Sequence, residues 1–106
     1  MTTVEQLDLL TKMRARLSQA FARRLRGVVL YGSLARGEEH SQSDVDVLVL
    51  LDEVRLWRDT HTALLALYPL SDELGRYISP KVVEATRYET SRHPLLERAR
   101  AEGIRL

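Results

Sequence analysis

Asp44-Val45-Asp46-Val47-Leu48-Val49-Leu50-Leu51 is the segment that leaves this chain the fewest choices. Once its two acids are passed every residue is apolar, so residues 44 to 51 read as a strand buried on both faces and central in its sheet. In an extended chain positions i and i+2 point to the same side, so Asp44 and Asp46 project together with Cα atoms about 6.5 to 7 Å apart. Two like charges at that separation repel by about 2 to 3 kcal/mol at an effective dielectric near 20. A positive species between them relieves that repulsion. Hard divalent cations take carboxylate oxygens, and Mg²⁺ typically binds through one or two carboxylates while waters and substrate phosphates complete its shell. The pattern suits phosphoryl or nucleotidyl transfer, in which a metal neutralises charge on the moving phosphate.

The same acids can also be read as turn chemistry, because Ser and Asp favour turns and Asp44 can bond its own backbone. The stretch before them weighs against that plain reading. Val28-Val29-Leu30-Tyr31 is a short, continuous apolar strand that runs into Gly32-Ser33. A strand ending in Gly-Ser leaves backbone N–H groups and a hydroxyl free, at a place where glycine lets a phosphate approach closely. Each half is a common motif alone; their conjunction carries the argument.

Gly32-Ser33, ten intervening residues and Asp44-x-Asp46 resemble the signature of the DNA polymerase beta-like nucleotidyltransferase superfamily. Gly32-Ser33-Leu34-Ala35-Arg36-Gly37 with Ser43-Asp44-Val45-Asp46 is similar to its minimal nucleotidyltransferase (MNT) branch, and a closing Glu102-Gly103-Ile104 extends the similarity. The resemblance implies an α+β fold of the α/β nucleotidyltransferase type, a small mixed sheet flanked by helices. It further implies Mg²⁺ held by Asp44 and Asp46 as the catalytic pair, with NTP, ATP first among them, met at Gly32, Ser33 and Arg36. For the MNT branch it implies an antitoxin that transfers AMP to a hydroxyl, a tyrosine, on a HEPN-domain toxin partner. A degenerate relative that masks its partner by surface contact without chemistry is the alternative. Transfer to a small molecule such as an aminoglycoside would ask for an extra substrate domain.

The chain has 106 residues, 44% hydrophobic and 29% charged, so it is expected to form one domain, 1–106, with a real core. That length is too small for catalytic and substrate domains together, which makes a partner, or a homo- or hetero-oligomer, an expected part of recognition. No apolar run nears the roughly 20 residues that span a bilayer, and no signal peptide is legible, so a cytoplasmic location is expected. With no cysteine there can be no disulfide, Cys-zinc site or thiol catalysis. A net charge of +1 gives no global field for direct nucleic-acid binding. Arg14, Arg16, Arg23, Arg24 and Arg26 do crowd one region, either as a phosphate or RNA surface or as a solvated helix face.

Along the chain, Thr2-x-x-Glu5 resembles a capping box, and apolar residues at helical spacing predict a helix over 3–26 that Gly27 ends. Leu34 to Glu38 suggests a short helical turn and 38–43 a polar loop. Asp52 is placed to cap a helix from Glu53 to about Leu67, with Trp57 in the core and Pro69 as its stop. Residues 69–75 follow as a loop or a helical turn. Tyr77 to Glu84 reads as a third strand, at an edge or bulged because of Pro80. Pro94 begins a last helix, roughly 94–102, closed by Gly103.

Superfamily enzymes usually carry a third carboxylate on a later strand facing the first two. Tyr77-Ile78-Ser79-Pro80-Lys81-Val82-Val83 holds no acid, which leaves Glu84, Asp72 and Glu73 as the nearest substitutes. Lys81 reads as an edge lysine that discourages strand association, or as a group reaching a phosphate. His40 falls in the loop before the acidic pair, and His61 and His93 lack partners at zinc-ligand spacing.

Overall fold

The computed structural model describes residues 2–36 and 44–106. The first helix, α1 (Thr3–Phe21), opens with the expected capping box: Thr2 Oγ1 accepts from the Glu5 N–H at 3.1 Å and Glu5 Oε1 accepts from the Thr2 N–H at 3.2 Å. It stops five residues before the expected end. Ala22 takes a φ of 52°, a 3₁₀ turn spans Ala22–Arg24, and β1 (Leu25–Tyr31) begins at once. Gly27 therefore lies inside a strand and does not end a helix. Leu25 pairs with Leu51 and Gly27 with Leu50, with a register irregularity at Arg26 between them. Sheet pairing of the buried Leu25 overrides helical spacing there.

A short helix, α2 (Ser33–Arg36), follows β1, and the Gly37–Ser43 stretch with His40 lies outside the described residues. Next come β2 (Val45–Leu51), α3 (Leu56–Leu74), β3 (Ile78–Glu84), α4 (Ala85–Thr90), α5 (Pro94–Glu102) and β4 (Ile104–Arg105). The strands form one sheet in the order β3-β2-β1-β4. β1 is antiparallel to both β2 and β4, and β2 is parallel to β3, so the sheet is mixed, β2 is internal and β3 is an edge, all as expected.

Both faces of the sheet are covered, which is why β2 reads as unbroken apolar sequence once Asp46 is passed. Val28 and Leu30 of β1 with Val45, Val47, Val49 and Leu51 of β2 meet Leu10, Met13 and Leu17 of α1 and Ala63, Leu67 and Leu70 of α3. On the opposite face Val29, Leu48 and Leu50 meet Tyr88 of α4 and Leu96 and Ala99 of α5. The six-residue α4 and two-residue β4 were absent from the sequence expectation, being too short to show periodicity.

α3 departs most from expectation. It begins at Leu56 and not Glu53, because Asp52 does not cap it: the Asp52 N–H donates to the Arg24 carbonyl and its carboxylate pairs with Arg26 at 3.3 Å. Pro69 does not stop it either. Pro69 is on the exposed face, where water can satisfy the carbonyl its missing N–H leaves free, while buried Leu67 and Leu70 draw the helix onward. The end comes at Gly75, whose φ of 70° is the left-handed conformation that glycine adopts without strain. Trp57 is 83% exposed and not core, since the buried stripe runs through Asp59, Ala63, Leu67 and Leu70, centred about 125° around the helix from it.

Asp59 is 1% exposed and fully bonded. Its oxygens accept from Arg24 Nη1 at 3.1 Å, Arg24 Nη2 at 2.6 Å and the Arg55 N–H at 2.8 Å. Arg24 Nη2 also donates to the Glu53 carbonyl at 3.0 Å, and its guanidinium lies over the Phe21 ring, 5.7 Å from the centroid. This arginine of the basic cluster ties the start of β1 to the start of α3. The Arg24 hydrogen bonds hold the Asp59 carboxyl below its ordinary pKa, against the opposing effect of burial. A depressed folded pKa stabilises the fold above the ordinary carboxylate range, and that contribution is lost as pH falls through it. Asp59→Asn is expected to lower unfolding free energy by about 2 to 4 kcal/mol at pH 7, by urea titration, with the gap from wild type shrinking toward pH 3. A pH-independent gap is the contrary result.

Candidate active site

β1 and β2 end their ladder with Tyr31 opposite Asp46, and the chain turns at Gly32 directly after it. Gly32 has a φ of 77°, and a Cβ built on it would fall 2.5 Å from Asp46 Oδ2. Both facts exclude a side chain, so the glycine brings backbone against the carboxylate. Ser33 and Arg36 then open and close α2.

Asp44 is exposed just ahead of β2, and Asp46 is partly buried as its second residue. No hydrogen bond reaches the Asp46 carboxylate among the described residues. Burial raises its pKa above the ordinary carboxylate value, the like charge of Asp44 raises it further, and Lys81 opposes both. Tyr31 beside it is pushed up to about 12, by burial first and by Asp46 second, so its phenol stays protonated at neutral pH. A half-buried acid crowded by a second acid, with no donor among the described residues, could hold a divalent cation; two carboxylate ligands would leave room for water and phosphate oxygens.

A cleft of about 570 Å³ stands over Asp46, lined by Tyr31, Gly32, Arg36 and Asp46 on one side and His93, Pro94, Leu95 and Arg98 on the other. Arg36 pairs with Glu102 of α5 at 3.3 Å. The structure thus gathers Gly32, Arg36 and Asp46 into one hollow with Asp44 beside it, and places the Ser33 backbone at its edge. The α5 wall was missed from sequence. His93 and Arg98 carry no signal there beyond the helix start at His93-Pro94, where His93 Nδ1 accepts from the Leu95 N–H at 3.2 Å.

None of the three substitute acids approaches this hollow. Asp46 pairs with Ser79, so the β3 residues sharing its face are Ser79, Lys81 and Val83. Glu84 pairs with Leu51, on the opposite face and about 16 Å along the strands. Asp72 and Glu73 belong to the last turn of α3, which covers the other face, and Glu73 lies 3.9 Å from Lys12 of α1. Among the described residues no group of three His, Cys, Asp or Glu side chains gathers to hold a metal, and no helix is long and apolar enough to cross a membrane.

Comparison with known proteins agrees with this geometry. Residues 10–106 match the family model described as a nucleotidyltransferase domain. A Methanocaldococcus jannaschii protein, assigned by inference as a protein adenylyltransferase, is 28% identical over 83 residues, 78% of this chain and 84% of that one. A solved structure described as a candidate minimal nucleotidyltransferase is 30% identical, with a TM-score of 0.54 over 97% of this chain and 95% of its own. A toxin–antitoxin crystal structure with AMP-PNP shares the fold, with a TM-score of 0.60 at 18% identity over 88% of this chain and 68% of its own. With the match running from the first helix to the last strand, the chain belongs to the nucleotidyltransferase domain family and is a transferase of that kind.

Proposed function

We propose that this chain moves an NMP unit, AMP in the first instance, from an NTP to a hydroxyl on a protein partner, and that it thereby acts as the antitoxin of a HEPN-type toxin. The observation that carries the chemistry is the Asp46 carboxylate, half-buried, without a hydrogen bond among the described residues and pressed against Gly32. Asp44 and Asp46 would hold Mg²⁺, which supplies charge neutralisation at the transferring phosphate. The Gly32-Ser33 turn and Arg36 line the side on which the phosphates would lie. The acceptor oxygen forms a bond to the α-phosphorus, the bond from that phosphorus to pyrophosphate breaks with its electron pair leaving on pyrophosphate, and the acceptor proton passes to water. The adenylyltransferase assignment of the archaeal relative supports AMP as the group moved, and the toxin–antitoxin neighbour with AMP-PNP supports both the nucleotide and a toxin partner.

One observation favours a second reading, a module that masks its partner without chemistry: no third acid joins the pair among the described residues. The two readings separate in one experiment. Co-purified partner incubated with labelled ATP and Mg²⁺ is expected to take up label, and Asp44→Ala with Asp46→Ala is expected to cut labelling by about 100-fold or more. Toxin neutralisation left intact by that double variant would establish masking.

Two further outcomes follow from the site's geometry. Gly32→Ala introduces a left-handed alanine and a Cβ on Asp46 Oδ2, so it is expected to destabilise by about 1 to 2 kcal/mol and to abolish labelling. Thermal melting and the labelling assay check the two halves separately. The raised pKa of Asp46 means that its ionised form opposes folding: the penalty is absent below the ordinary carboxylate range and complete above the raised value. At pH 7 without divalent cations Asp46→Asn is therefore expected to melt above wild type, and saturating Mg²⁺ to close the gap. A lower melting temperature for the variant in chelator would contradict this.

A further inference from the structure

The acidic pair has a charged neighbour across the sheet. In the parallel ladder Asp46 lies opposite Ser79 and Leu48 opposite Lys81, so Lys81 shares Asp46's face, one strand over and two residues on. Strand spacings put their Cα atoms about 8 Å apart, within the span of a lysine stem. Lys81 also lines a cleft of about 410 Å³ together with His93 and Leu95. Those same two residues wall the hollow over Gly32 and Asp46. The ammonium and the carboxylate therefore line two neighbouring clefts that share His93 and Leu95 as a wall. Lys81 is exposed and has no hydrogen bond or ion pair among the described residues. An edge lysine that merely discourages strand association can stand on either face; this one stands on the face of the acids.

We propose that Lys81 is a nucleotide-binding residue of this site: Asp44 and Asp46 hold a single divalent cation, and the Lys81 ammonium brings the second positive charge to the triphosphate. The inference rests on the nucleotidyl-transfer reading above. Two metals about 3.5 to 4 Å apart need carboxylates enough to hold both, and among the described residues the pair gains no third ligand. A fixed cation beside Asp46 makes a second dication there still more costly. Lysine is a compact point charge suited to phosphate oxygens. In the transfer step Lys81 gives and takes no proton; it faces the negative charge that gathers on pyrophosphate as its bond to the α-phosphorus breaks.

The test is a titration of the full chain with Mn²⁺ and a non-hydrolysable ATP analogue, with free Mn²⁺ followed by electron paramagnetic resonance. Wild type is expected to bind one Mn²⁺ per chain in the analogue complex. Lys81→Ala is expected to keep that stoichiometry and its melting temperature while losing about 10- to 100-fold in analogue affinity, with Lys81→Glu weaker still. Two Mn²⁺ per wild-type chain overturn the proposal, as does analogue affinity in either variant equal to wild type. If wild type binds no analogue at all, the parent reading fails and Lys81 falls with it; a failure confined to the variants sinks Lys81 alone.

Discussion

The antiparallel register of β1 on β2 is the constraint from which the rest of the molecule follows. Because Tyr31 stands opposite Asp46, the turn after β1 and the acid that opens β2 arrive at the same end of the sheet. A shift of one residue would turn Asp46 into the core under α1 and α3 and bring Val45 or Val47 out toward α5. Five consecutive buried residues of β2, Val47 to Leu51, packed between two helical layers, make that shift prohibitively costly, so the site inherits its precision from the core. The parallel partner β3 then lends the same face a serine and a lysine without adding an acid.

Two buried or half-buried aspartates illustrate how one residue type serves opposite ends. Asp59 receives a two-pronged guanidinium and a backbone N–H, so its charge is stabilised and it fastens β1 to α3. Asp46 receives nothing comparable among the described residues, and its surroundings disfavour the charge it must carry. The first arrangement strengthens the fold; the second costs stability, which is the usual mark of a residue placed for chemistry.

The parts legible in the sequence were those set by local rules. The capping box, the buried character of β2, the edge position of Pro80 and the start of α5 at Pro94 rest on one or two residues each, and the structure shows them all. The misreadings came where tertiary contacts overruled local signals. Pro69 breaks a helix only where its neighbours do not hold it, and Leu67 and Leu70 do. Trp57 is expected in the core from its place in the helix, but the position of Asp59 fixes which face of α3 turns inward. Leu25 fits a helical stripe from Phe21 until its strand partner Leu51 is known. Of the site, the Gly32 and Asp46 contact follows from the motif's spacing, whereas His93, Arg98 and the place of Lys81 depend on α5 folding back and on strand register, neither of which leaves a mark in nearby sequence.

The outward position of Trp57 has an optical consequence. It is the chain's single tryptophan, and it reports on solvent at the first turn of α3 and hardly at all on the interior. Its fluorescence emission is accordingly that of a hydrated indole in the folded state as in the unfolded one, a poor index of denaturation. The same indole is a sensitive monitor of anything that comes to rest on that helix and dries it.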